Sequence, residues 1–250
     1  MDVAAYLARI GYSGAVNPTA ETLRGLHRAH LFAVPFENLD IPSGREIVLD
    51  RDLLLRKVVE FSRGGFCYEL NGAFAALLTA LGFHVTLLSA RVPRQDGSPG
   101  PEFDHLTLRV DLEEPWLADV GFGDSFIDPL RLQPGLEQKQ DDRVFRIVER
   151  NSAWRVERKE ENSDWKTEYE FTLHPRALDE FVEMCRYHQT SPDSPFTQKR
   201  LCTRATRDGR VTLSDMKLIT TRKGRKQERI LSSEQERMKI LKEDFGVVLN

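Results

Sequence analysis

The segment Arg63-Gly64-Gly65-Phe66-Cys67-Tyr68-Glu69-Leu70-Asn71 holds the strongest chemical signal in the 250-residue chain. Its glycine pair allows a sharp turn and a close backbone approach. Leu70, Phe74, Leu77, Leu78 and Leu81 then recur at helical spacing as far as Gly82, a C′ glycine. Cys67 lies three residues before Leu70, in the first helical turn and on the inward side. The positive end of a helix macrodipole favours thiolate over thiol, which lowers the pKa and makes the sulfur a better nucleophile for acyl transfer. Read alone, Cys67 is equally well explained as a small buried apolar side chain.

A thiolate nucleophile needs an imidazole partner, and the chain offers His27, His30, His84, His105, His174 and His188. His27 and His30 have helical spacing but no acidic third ligand at a matching interval, so one face of a helix accounts for them better than a metal site. His105 opens the strand-like run Asp104-His105-Leu106-Thr107-Leu108 directly after a Gly/Pro loop, a place where functional side chains are presented. Asp119 stands between Ala118 and Val120 in an apolar run and is followed by Gly121-Phe122-Gly123. A carboxylate buried there needs a partner, which is either an imidazolium or Arg109. A plain hairpin turning at Glu113-Glu114 places Asp119 opposite Arg109 and His105 opposite Gly123, so a Cys-His-Asp triad requires a bulge or bend at Gly121 and Gly123.

The elements that must position these residues follow from periodicity. Up to Gly82 the apolar spacing is helical: Leu23, Leu26, His27, His30 and Leu31, then Leu53, Leu54, Val58 and Phe61, then the stretch from Cys67. From Phe83 the period is two, through FHVTLLSARV, HLTLRVDL, WLADVGF, VFRIVER, AWRVERK and TEYEFTL, which predicts an antiparallel sheet curled into a barrel. After Pro175 come a helix over Arg176 to Tyr187, a Ser/Pro-rich stretch, a polar hairpin turning near Gly224 and a final helix from about Ser232 to Glu243. The basic run Arg222 to Lys226 is read as a solvated hairpin tip, with a phosphate patch as the minor alternative.

Composition narrows the classes. The 36 Lys and Arg nearly balance the 39 Asp and Glu, for a net charge of −3, which argues against nucleic acid as a partner. Three cysteines without a CxxC pair suit neither a disulfide framework nor a thiolate zinc site. With no apolar run near the roughly 18 residues of a membrane span, and charges near the N-terminus, the chain is expected to be cytoplasmic.

The segments Val34-Pro35-Phe36-Glu37-Asn38-Leu39, Arg63 to Asn71, His105-Leu106 and Asp119 to Gly123 resemble, in order and separation, the arylamine N-acetyltransferase family. The likeness runs from Tyr6-Leu7-Ala8-Arg9-Ile10-Gly11-Tyr12 through Thr190-Ser191-Pro192 to Phe245-Gly246. It implies an α+β fold with a cysteine-protease-like core: a helical bundle over residues 1–82, an antiparallel β-barrel over 83–188 and an α/β lid over 189–250. Cys67, His105 and Asp119 match the family's catalytic triad, and Phe36, Val92 and Phe122 match positions lining its acceptor pocket. The implied reaction is ping-pong, with acetyl-CoA as co-substrate, no metal, an arylamine or arylhydrazine as acceptor and a role in xenobiotic metabolism. A monomer or homodimer is expected.

Two departures qualify the likeness. Gly100-Pro101-Glu102-Phe103-Asp104 lacks the small polar residues that vertebrate members use near CoA, and its acidity is unfavourable to phosphates. The chain also ends soon after Phe245, so a more open, bacterial-like cleft is expected. Competing readings are an amide-forming or longer-chain acyltransferase on the same fold, a Cys-His-Asp hydrolase, and a non-catalytic binding module.

Overall fold

Short polar side chains set where the first helices begin. In a computed structural model describing residues 1–94, 96–150, 153–160 and 163–249, Asp2 accepts the Ala5 N–H at the start of α1 (Val3–Arg9). Thr19 accepts that of Thr22 at α2 (Ala20–Ala33), and Asp50 those of Asp52 and Leu53 at α3 (Arg51–Leu55). A single π turn, Arg56–Glu60, continues α3 and closes with a Phe61 N–H to Arg56 C=O bond of 3.0 Å. The wider turn breaks the helical phase that grouped Phe61 with Leu54 and Val58. Those two are buried, whereas Phe61 is exposed beneath the Arg56 guanidinium.

The central helix α4 (Cys67–Ala80) is buried along most of its length. At its start Glu69 reaches back to the Phe66 N–H (3.1 Å). At its end Gly82 takes φ 86° while Phe83 N–H bonds Leu78 C=O and Gly82 N–H bonds Thr79 C=O, a Schellman motif.

Alternating residues then build eight antiparallel strands: β2 (His84–Arg91), β3 (His105–Asp111), β4 (Pro115–Ala118), β5 (Leu130–Arg131), β6 (Gln138–Gln140), β7 (Arg143–Arg150), β8 (Ala153–Glu160) and β9 (Lys166–Arg176). Their order is β5-β4-β3-β2-β9-β8-β7-β6. The two edges nearly close a barrel, because the Gln138 amide in β6 accepts the Arg131 N–H of β5 (2.8 Å) and donates to its C=O (3.2 Å). Leu117, Phe145, Ile147 and Tyr169 fill one core, while Leu106, Leu108 and Val110 belong to a second, built around α4.

A 3₁₀ turn (Leu178–Phe181), α5 (Val182–Thr190) and α6 (Pro195–Gln198) lead to β10 (Leu201–Thr206), β11 (Gly209–Ser214), β12 (Lys217–Arg222), β13 (Arg225–Ile230) and α7 (Glu234–Phe245). The helix expected over Arg176 to Tyr187 therefore begins later and ends later. The basic run lies at the β12–β13 turn, and β13 is exposed throughout. This second sheet has the order β1-β10-β11-β12-β13, where β1 is the pair Phe36–Glu37 from the helical part of the chain. Asn38 locks the junction by donating to Phe196 C=O and Lys199 C=O (both 2.8 Å) and accepting the Leu201 N–H (2.7 Å). The fold is α+β, as expected: helices, an antiparallel barrel and a C-terminal α/β part.

Candidate active site

Close packing at the glycine pair brings Cys67 to its place. A Cβ on Gly64 would lie 2.0 Å from the Pro35 carbonyl oxygen, and Gly65 C=O accepts the Glu37 N–H (2.8 Å), so only bare backbone fits beside β1. Buried charges pin this approach. Arg63 pairs with Glu37 (2.7 Å) and Asp40 (3.0 Å), and Lys57 bridges Asp40 and Glu69 (both 2.6 Å). Burial opposes the charge on Asp40, but Lys57 and Arg63 hold its carboxyl below the ordinary value.

Cys67 is the first residue of α4, and it is buried. Burial pushes its thiol well up, against a backbone hydrogen bond from Leu106, with Asp104 and Asp119 adding in the same direction as burial. The expected lowering by the helix terminus is therefore overridden by desolvation. A lone thiolate is unfavourable here, and a thiolate must come paired with a cation.

His105 borders the same cavity as Cys67 and is the candidate partner. His105, the first residue of β3, places Nε2 2.6 Å from Asp119 Oδ2, and both side chains are buried. Asp119 Oδ1 accepts Asn71 Nδ2 (2.9 Å) and the Gly121 N–H (3.0 Å). Burial works against the Asp119 charge, but His105 and these donors hold its pKa below the ordinary value.

The hairpin differs from the one expected. It closes at Asp111↔Pro115, so Arg109 faces Leu117, and Arg109 pairs with Asp111 at 2.7 Å instead of with Asp119. This register is tighter by two residues, which keeps every side chain on its face. Carried one step past the end of β4, it sets Asp119 diagonal to His105, within side-chain reach. The strand stops at Ala118 without a bulge, and Gly123 turns the chain with φ 92°. Gly121 must remain glycine, since a Cβ there would lie 2.8 Å from the Cys67 Cα and carbonyl oxygen.

A cavity of about 530 Å³ opens over this group. Phe36, Cys67, Val92, His105 and Phe122 all line it, so five of the six residues matched to the family's triad and acceptor pocket border the same space, with Asp119 behind His105. The Phe122 ring stands edge-on to His105 with centroids 5.2 Å apart. In the 100–104 loop Glu102 pairs with Arg176 (2.5 Å), and Asp104 Oδ1 lies 3.2 Å from His188 Nε2, out of line for a hydrogen bond.

Two supporting residues were not assigned roles from sequence. Asn71, four residues after Cys67 and on the same helix face, closes the segment from Arg63. His27 was read only as part of a helix face, yet it accepts the Asp119 N–H. In both cases the available signal was a polar residue at a core position of an amphipathic helix.

The family model described as N-acetyltransferase matches residues 19–250. The chain is 37% identical over 278 residues to arylamine N-acetyltransferase, pineal gland isozyme NAT-3, of Gallus gallus, covering 100% of this chain and 95% of that protein. The arylamine N-acetyltransferase structure from Salmonella typhimurium superposes with TM-score 0.93 at 33% identity, covering 99% of this chain and 92% of that one. The structure of Mycobacterium marinum arylamine N-acetyltransferase in complex with CoA gives TM-score 0.91 at 31% identity, covering 98% and 93%. Motif order, backbone and family model thus agree over nearly the full length, and the chain belongs to the arylamine N-acetyltransferase family.

Proposed function

We propose that the protein transfers an acetyl group from acetyl-CoA to the nitrogen of an arylamine or arylhydrazine through a thioester on Cys67. One observation carries the reading: Cys67 and a His105–Asp119 pair open onto a single cavity. With Nε2 committed to Asp119, His105 has Nδ1 left to take the Cys67 proton, which forms the thiolate and imidazolium together. The thiolate attacks the acetyl carbonyl, the C–S bond to CoA breaks, and the CoA sulfur takes the proton from His105. In the second half the amine attacks the Cys67 thioester, His105 accepts the proton from nitrogen, and Cys67 leaves as thiolate. Phe36, Val92 and Phe122 offer apolar walls suited to an aromatic acceptor. The complex of the Mycobacterium marinum relative with CoA supports the choice of co-substrate.

The division at residues 82 and 188 belongs to the same reading, with α5 crossing the second boundary. So do a cytoplasmic location, a monomer or homodimer, and a place in xenobiotic metabolism. Three free, buried cysteines fit a reducing compartment, and among the described residues no helix is long and apolar enough to cross a membrane.

Acetyl-CoA alone should release CoA in a stoichiometric burst and acetylate Cys67, visible by intact mass, because exchanging one thioester for another is nearly isoenergetic. An arylamine should then discharge the thioester, and initial-rate plots at several amine concentrations should be parallel. Converging plots without acetylated Cys67 would mean direct transfer in a ternary complex. Sustained CoA release without amine would mean a hydrolase.

A further inference from the structure

We propose that His27 is a positioning residue for acyl transfer, a neutral imidazole on α2 that holds Asp119 in place for His105 through the Asp119 backbone. The proposal rests on the roles given above to Cys67, His105 and Asp119. It starts from a problem of backbone accounting. Where the chain leaves the sheet after Ala118, the N–H groups of residues 119, 120 and 121 are buried and need acceptors. Asn71 Oδ1 takes the Val120 N–H (2.9 Å), and the Asp119 carboxylate takes the Gly121 N–H (3.0 Å). The Asp119 N–H goes to His27 Nε2 at 3.0 Å.

The other ring nitrogen is also committed: His27 Nδ1 lies 2.7 Å from the Ile127 carbonyl oxygen. A carbonyl can only accept, so Nδ1 carries the proton; an N–H can only donate, so Nε2 is bare. Both bonds therefore require the neutral ring, and burial independently pushes the His27 pKa down. One side chain thus fastens both ends of segment 119–127, which carries the Asp119 carboxylate and the cavity wall Phe122. The ring is itself fixed, stacked on Phe126 (5.8 Å) and edge-on to Phe74 (5.9 Å).

His30 supplies an internal control. It is as buried as His27 and one turn further along α2, but neither of its nitrogens has a hydrogen-bond partner among the described residues. Burial in this helix alone therefore does not create the link to Asp119. The titratable groups that face Cys67, Asp119 and His27 include Tyr68, Asp104, His105, Asp128, Tyr169, Cys185 and His30, and the variants below leave all of them in place except His30 and Cys185.

The test follows the rate of Cys67 alkylation by iodoacetamide against pH, in a Cys185→Ala, Cys202→Ala background, together with kcat/KM and thermal unfolding. Wild-type Cys67 should react rapidly near pH 7. His27→Leu should slow that reaction about tenfold, with reactivity returning about one pH unit higher, and kcat/KM should fall in parallel. His27→Gln, whose amide offers an acceptor and a donor, should stay within about threefold of wild type. His30→Leu should leave the pH profile unmoved. Should His27→Leu fail to fold, His27→Asn, which is too short to span both partners, is read the same way. A folded His27→Leu or His27→Asn variant with the wild-type pH profile would overturn the proposal, as would His27→Gln behaving no better than His27→Leu. If wild-type Cys67 reacts only as an ordinary thiol, the thiolate–imidazolium pair itself is wrong, and the proposal falls with it.

Discussion

At Asn71 one side-chain amide serves three buried groups: Nδ2 donates to Leu106 C=O (2.6 Å) and Asp119 Oδ1 (2.9 Å), while Oδ1 accepts the Val120 N–H. Asn71→Ala removes all three bonds and leaves the Val120 N–H without its acceptor, while Asp119 Oδ1 keeps only the Gly121 N–H, so the protein should lose on the order of 3 kcal/mol in denaturant unfolding and much of its kcat/KM. Asn71→Asp should be worse for turnover than for stability, because it sets a second carboxylate against Asp119. For Asp119 the structure separates the two partners that sequence left open. Asp119→Asn turns an amide toward His105 Nε2 and favours the tautomer with its proton on Nδ1, facing away from Asp119. By analogy with triad enzymes, kcat/KM should fall by roughly 10³–10⁴. Arg109→Ala removes only a half-exposed pair with Asp111 and should leave kcat/KM close to wild type. If Arg109→Ala cost more activity than Asp119→Asn, the assignment of Asp119 would fail.

At the entry of α4 a buried charge cluster joins Lys57 to Asp40 and Glu69. Lys57→Met would leave Asp40 and Glu69 buried without their shared cation, and unfolding should become easier by about 3–5 kcal/mol, measured by denaturant titration. Most elements could be read from the sequence because their periods are long and unmixed. The stripe from Leu70 to Leu81, its C′ Gly82 and the alternation of β2, β3, β7 and β8 all correspond to observed elements. What was not legible depends on hydrogen bonds that residue types do not specify. The π turn after Leu55 adds one residue to a turn without any change in composition, and so turns Phe61 outward. The β3–β4 register depends on loop closure at Asp111 and Pro115, not at the acidic pair Glu113-Glu114. A two-residue strand such as β1 leaves no periodic trace, and its partner β10 comes from near the other end of the chain.

Across the whole molecule, acid sensitivity should originate in α2. Burial lowers the His27 pKa, and that of His30 still further, so below the ordinary histidine value of 6.5 the unfolded chain binds protons that the folded chain refuses. The contribution of the two neutral rings is then fully present above that value and declines as pH falls through it. The paired carboxylates Asp40 and Asp119, whose pKa values are lowered, add their loss only further down, as pH passes below the carboxylate range. Melting temperature should therefore drop between about pH 6.5 and 5. His30→Leu should flatten that slope without the damage expected of His27→Leu; an unchanged slope would place the acid sensitivity elsewhere. The pairing of Phe36 with Thr203 on one side and Gly65 on the other has a kinetic consequence. Contacts so distant in sequence close late in folding, so during refolding the helical part can form while Phe36 still lacks its C-terminal neighbour. Cys67, which borders the same cavity as Phe36, should stay open to a pulse of alkylating reagent through that interval and lose reactivity as β10 docks against Phe36, so the nucleophile leaves bulk water only after the helix that carries it has formed.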